Sequence, residues 1–205
     1  MAGVREARKR QTREQLAATA LRLFDERGFE AVSVAEVARA AGVTEKTVFN
    51  HFATKEDLVY SGDQRFEAAL VGAIDARAAG TPVAGAVGAF LLDRYARFGD
   101  DPARRERQAV LARLVTASPA LQARERQLLA RYAATLRGHI ARELGADGDE
   151  DDLRPQLIAE ALVAAHGVVI AAFRRATLSG APPEVYGPRV LAAAREAFGL
   201  LAGLP

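Results

Sequence analysis

A chain of 205 residues, half of them hydrophobic, can bury one sizeable core or a small module fused to a larger one. The absence of cysteine excludes disulfides, thiolate metal sites and cysteine nucleophiles, and it suits a reducing compartment, the cytoplasm by default. A formal net charge of +2 gives no strong global field, so charge has to be read by position.

The opening MAGVREARKRQTREQ has charges where an export signal would need an apolar stretch. Arg5, Arg8, Lys9, Arg10 and Arg13 face only Glu6, and every lysine of the chain (Lys9, Lys46, Lys55) falls in the N-terminal quarter. Two readings stand for the opening cluster: a solvated, frayed terminus and a phosphate-contacting arm. A first helix is predicted from about Thr12 to Arg27, with Leu16, Ala20, Leu23 and Phe24 on one face, stopped by Gly28 with Phe29 folding back. Ser33 and Glu36 have capping-box spacing at the start of a second helix, whose buried stripe is Val34, Val37, Ala38 and Ala41. Gly42 permits a sharp turn, Thr44 caps a third helix from Glu45 to about Phe52, and Thr54 caps a fourth.

Further helices are predicted near residues 55–79, 82–98, 102–117, 119–144, 153–179 and 184–202, with Pro82, Pro102 and Pro119 in first-turn positions and Ser118 as a cap. Strand signals are scarce, so the fold class is all-α: a three-helix N-terminal module followed by a helical domain, about nine helices in all. The apolar run from Leu157 to Phe173 contains Glu160 and His166 and is followed by Arg174 and Arg175; a buried interface helix explains it better than a membrane span. The acidic run 147–152 fails as a calcium loop. Counted from Asp147, position six is Asp152 instead of glycine and position twelve is Ile158 instead of glutamate. No nucleophile elbow, zinc-protease, P-loop or dinucleotide signature is present, so no enzyme and no cofactor are expected.

Two short helices joined by the Ala41-Gly42-Val43 turn and packed on a longer preceding helix form a helix-turn-helix. The stretch Thr12 to Leu58, with RLFDERGFEAVSVAEVARAAGVTEKTVFNHFATKEDL at its heart, resembles the DNA-binding segment of the TetR family of transcriptional regulators nearly position for position. The resemblance covers about a quarter of the chain; the remainder agrees in length and helicity only. It implies a DNA-binding domain over residues 1–60 and a helical effector-binding and dimerisation domain over 61–205.

The third helix is roughly 12 Å long at ~1.5 Å per residue, matching the ~12 Å width of a DNA major groove. Val48 and Phe52, one turn apart, must pack inward, which turns Thr44, Thr47, Asn50 and His51 outward. Asn50 suits the two bonding positions of an adenine edge; Thr47 suits a base, a phosphate or a thymine methyl. Lys46 and His51 are assigned to phosphate, against a solvated charge and a helix C-terminal cap. Phe49 stands where the family often has tyrosine, and it divides between contact with a thymine methyl or sugar and partial core packing. Glu45 complements the helix dipole. Lys55 is a cation at the positive end of a helix, which is unfavourable unless a phosphate meets it together with the amides of Lys55 and Glu56. Ser33 and Thr44 can add DNA-backbone contacts, although capping alone accounts for both.

For the rest of the chain the resemblance implies a homodimer, a double-stranded DNA operator and a small-molecule effector. Ala161, Ala165, Val168 and Ala172 with Leu191, Ala194 and Phe198 are the expected dimer interface, intramolecular packing being the alternative. Expected effector contacts are Phe66, Leu70, Phe90, Tyr95, Phe98, Arg113, Leu114, Tyr132, His139, His166 and Phe173. Neither His139 nor His166 has Cys, Asp or Glu at ligand spacing, so no metal is expected. The rival reading is a helical dimer that has lost DNA binding and serves as a partner-binding module.

Overall fold

The computed structural model describes residues 2–97 and 101–203, with the side chains of residues 2–5 left aside. Those residues form ten helices: α1 Ala2–Arg27, α2 Val34–Ala40, α3 Glu45–His51, α4 Glu56–Val59, α5 Asp63–Asp75, α6 Val83–Ala96, α7 Pro102–Ala117, α8 Pro119–Leu144, α9 Arg154–Leu178 and α10 Pro183–Ala202. No strand occurs among them, as the period of the apolar residues requires. Two compact units divide the chain, residues 1–64 with 113–124, and residues 65–112 with 125–205.

In the first unit Leu16, Ala20 and Phe24 of α1 are buried with Phe29, Val32, Val37, Val48, Phe52 and Leu58. Each such large side chain removed from water contributes ~1.5–3 kcal/mol before entropy is counted. Gly28 takes φ +86°, and the Phe29 ring folds back edge-on to Phe24 with centroids 5.0 Å apart. The capping box forms as the sequence predicts: Glu36 N–H donates to Ser33 Oγ at 3.2 Å and Ser33 N–H donates to the Glu36 carboxylate at 2.8 Å. The Ser33 N–H and hydroxyl, both donating to the carboxylate, and the Arg27 guanidinium hold Glu36 down at a pKa of about 2. Gly42, at φ +70°, closes α2 by sending Val43 N–H back to the Ala38 carbonyl at 3.0 Å. A side chain there would meet the left-handed penalty.

Segment 113–124 belongs to this unit because its polar groups find partners there. Arg113 pairs with Asp25 at 2.7 Å, Arg124 with Asp57 at 2.7 Å, the Ser118 hydroxyl donates to Glu30 at 2.7 Å, and the Tyr60 hydroxyl donates to the Leu121 carbonyl at 3.0 Å. Ser118 also caps α8 by accepting from Leu121 N–H.

Two expectations are corrected. The first helix begins at Ala2, ten residues before Thr12, because the Thr12 hydroxyl bonds to the Arg8 carbonyl one turn back and does not cap a helix start. The expected single helix over 55–79 is two, α4 and α5, broken at Tyr60–Gly62. Thr54 and Asp57 cap the start of α4 reciprocally, at 3.1 and 3.3 Å.

In the second unit α10 packs against α6 and α9. Gly88 lets this crossing close: a Cβ there would stand 3.0 Å from Phe198 Cβ. Leu70, Ile74, Val87, Leu91, Tyr95, Leu128, Leu136, Ile140 and Leu162 fill the core. Helix α9 is long and apolar enough, by length and composition, to cross a membrane. Within the unit it buries Ile158, Leu162, Val169 and Phe173.

Candidate functional site

Helix α3 is held from behind and open in front. Val48 is 1% and Phe52 2% exposed, while Phe49 is 50% exposed and Lys46 and Asn50 are open to water. Thr44 is the N-cap, its hydroxyl accepting from Thr47 N–H at 3.2 Å and lying 2.9 Å from the Thr47 hydroxyl. Ser33 is tied into its capping box. Of the eight residues expected to meet DNA, then, Lys46, Phe49 and Asn50 carry free outward groups, while Ser33, Thr44 and Thr47 already share hydrogen bonds that stabilise helix starts. The exposure of Phe49 favours an outward ring over core packing.

His51 is half-buried at the end of α3, and its Nδ1 is buried without a hydrogen-bond partner. Burial, then Arg13 and Lys9, lower its pKa below the ordinary histidine value. Its carbonyl accepts from the Arg13 guanidinium, which also lies 3.5 Å from the Ser61 carbonyl. Arg13 is therefore no part of a free basic arm. Arg8, Lys9 and Arg10, one and two turns earlier on α1, remain exposed. Lys55 lies just ahead of α4 with helical φ and ψ, and its ammonium stands over the rings of Phe29, at 4.2 Å, and Phe24, at 5.7 Å. A cation–π contact thus partly accounts for a lysine that the helix dipole disfavours.

In the second unit a ring cluster gathers residues from α5, α6, α8 and α9. Phe66 is the hub: Phe90 lies 5.7 Å, Tyr132 4.9 Å and His166 5.5 Å away, the imidazole stacked within 8°. Tyr95 joins through its hydroxyl, 2.5 Å from His166 Nδ1, and Phe173 lies 6.0 Å from the Tyr95 ring. Burial, then Arg94, hold His166 down at about 4, and burial pushes the Tyr95 phenol up, so both are neutral near pH 7. The sequence reading thus named six rings that the fold brings together, with Leu70 buried on the same helix as Phe66.

Three expected contacts are placed differently, and a fourth is not described. Arg113 pairs with Asp25 in the first unit, where Leu114 is also buried. His139 is half-buried on α8 among Arg142, Asp75 and Arg77, two turns of α5 beyond Phe66. Phe98 lies outside the described residues. On the expected dimer face, Ala194 and Phe198 are each 2% exposed inside the chain's own core, because Gly88 admits Phe198 closely. Ala161, Ala165, Ala172 and Leu191 are half-buried, and Val168 is 66% exposed. Sequence reasoning missed Arg94, whose guanidinium carbon stands 5.0 Å over the Phe66 ring. The signal was its place one turn after Phe90.

Two family models match: residues 16–60 match "Bacterial regulatory proteins, tetR family" and residues 81–185 match "MftR C-terminal domain". Among curated proteins, the transcriptional regulator TcmR of Streptomyces glaucescens is 32% identical over 170 residues, 82% of this chain and 75% of that one. Among solved structures, NalD, the secondary repressor of the MexAB-OprM efflux pump in Pseudomonas aeruginosa, superposes with a TM-score of 0.59 at 18% identity, covering 92% of this chain and 97% of that one. The FadR regulator of Bacillus subtilis, solved with stearoyl-CoA, has a TM-score of 0.58 at 16% identity, covering 93% and 97%. With the helix-turn-helix geometry and both halves matched, the chain belongs to the TetR family of bacterial regulatory proteins: it is a DNA-binding transcriptional regulator and not an enzyme.

Proposed function

We propose that the protein is a cytoplasmic homodimeric repressor that holds a pseudo-palindromic operator and is released from it by a small-molecule effector. The observation that carries the reading is the division of α3 into a fixed apolar back, Val48 and Phe52, and an open front of Lys46, Phe49 and Asn50. A seven-residue helix braced this way can enter a major groove without losing its packing. Asn50 then reads an adenine edge, Phe49 touches a thymine methyl or sugar, and Lys46 and Lys55 meet phosphates. Thr47 and His51 complete the surface as hydrogen-bonding groups, and Ser33 and Thr44 present capped helix starts to the DNA backbone.

Dimerisation uses the stripe that α9 leaves uncovered. Leu157, Ala161, Ala165, Val168 and Ala172 recur at helical spacing, and Leu157 and Val168 are 64% and 66% exposed. On α10, Leu191 and the exposed Leu200 extend the apolar surface. A two-fold pair would present two readers to half-sites about 34–36 Å apart. The ring cluster around Phe66 receives the effector, a role that the repressor NalD and the ligand-bound FadR of B. subtilis support by fold alone. Helices α7 and α8 each supply residues to both units, so backbone continuous through a helix carries the coupling, of order 1–3 kcal/mol. The test is fluorescence anisotropy of the full chain on duplexes tiling its own upstream region. One tight, salt-sensitive site carrying an inverted repeat is expected; uniformly weak binding to every duplex would instead leave a partner-binding module.

A further inference from the structure

Arginines of the second unit commonly sit beside carboxylates: Arg77 with Glu143, Arg131 with Glu67, Arg174 with Glu125, Arg97 with Asp93. Arg94 does not. Its guanidinium carbon lies 5.0 Å from the Phe66 centroid, at the hub of the ring cluster. Among the described residues no Asp or Glu pairs with it; the groups that act on it are the phenols of Tyr132 and Tyr95, which favour its charge, and another cation, Arg104, which opposes it. Arg94 is solvent-exposed overall, yet burial of its head group against the cluster, and then Arg104, lower its pKa from the ordinary arginine value. His166 and Tyr95 do not balance this charge, because both are neutral. A guanidinium with one face on a ring still has in-plane N–H groups directed outward, the geometry that takes a carboxylate in two places.

We propose that Arg94 is the anion anchor of the effector site: backed by Phe66, it takes the carboxylate of a ligand whose apolar body lies along Phe90, the half-buried ring of the cluster. This rests on the reading of the ring cluster as the sensing site. It also names the ligand class, an organic acid that is otherwise apolar. The ligand's charge would supply the counter-ion that the described residues do not, whereas a neutral molecule of the same shape would cover the guanidinium without pairing it. Discrimination therefore comes chiefly from the missing partner and less from fit.

The probes are 2-naphthoate and decanoate, each beside its primary amide, titrated into the full chain by calorimetry without DNA. At least one acid is expected to bind about tenfold or more tightly than its amide, the low end for a charge-assisted bond. Arg94→Gln should bring that ratio to near one, and Arg94→Lys, which keeps the charge on a similar stem, should retain part of the preference. Failure of both acids to bind, equal binding of acid and amide, or an unchanged ratio in Arg94→Gln overturns the proposal. Operator binding is measured separately: a chain that prefers the acid but ignores DNA would sink the repressor reading and leave the anchor standing. A chain that holds its operator but shows no preference would do the reverse.

Discussion

The guanidinium carbon of Arg13 lies 4.1 Å from the centroid of the Phe52 ring, while its nitrogens reach the carbonyls of His51 and Ser61. One side chain of α1 thus closes the C-terminal end of the reading helix α3 and satisfies a carbonyl in the break between α4 and α5. Helix ends leave carbonyls without partners, and a cation there also complements the dipole. Arg13 positions the reader and does not touch DNA in this account.

Replacing Arg13 with Ala should therefore cost about 2 kcal/mol, combining a charged hydrogen bond and a ring contact. Chemical denaturation with and without the substitution measures it. A variant that keeps its stability but loses one unit of salt dependence in DNA binding would return Arg13 to the basic arm.

His166 gives a pH dependence with a definite sign. Its pKa is about 4 in the folded chain against an ordinary 6.5, so between those values the unfolded chain binds the extra proton. Stability is complete above pH 6.5 and falls by up to about 3 kcal/mol as the pH drops through 4. The difference in unfolding free energy between the native chain and His166→Gln, followed from pH 7 to pH 4, isolates this group from the carboxylates. Parallel curves would mean that His166 is not buried as a neutral base.

The uncovered stripe of α9 makes a third prediction. Val168→Glu places a charge where two copies would meet but alters no buried contact of the single chain, since Val168 is 66% exposed. Sedimentation should show a shift from dimer to monomer with the melting transition of the chain reduced only through lost association. A Val168→Glu protein that remains a dimer would move the interface elsewhere.

Legibility from sequence followed the range of the interaction. The Ser33–Glu36 box, the Gly42 turn and the Thr44 cap are made between residues three to five apart, and each formed as spacing required. The break at Tyr60–Gly62 was invisible because what stabilises it comes from far away: Arg13 for the Ser61 carbonyl, and the Leu121 carbonyl for the Tyr60 hydroxyl. The place of Arg113 was hidden for the same reason, its partner Asp25 lying 88 residues back. Phe198 shows the limit of periodicity. A helical stripe says that a face is covered, and only the missing Cβ of Gly88 says by what.

The central claim is that the open front of α3 reads bases while lysines hold the backbone, and the ratio of affinities for the operator and a scrambled duplex tests it most directly. Asn50→Ala should lower operator affinity by ~1–3 kcal/mol and leave the scrambled duplex unchanged, collapsing the ratio. Lys55→Ala should weaken both duplexes alike and reduce the salt slope by about 1. If the native chain binds the two duplexes equally, or if Asn50→Ala keeps the native ratio, α3 is not the reader.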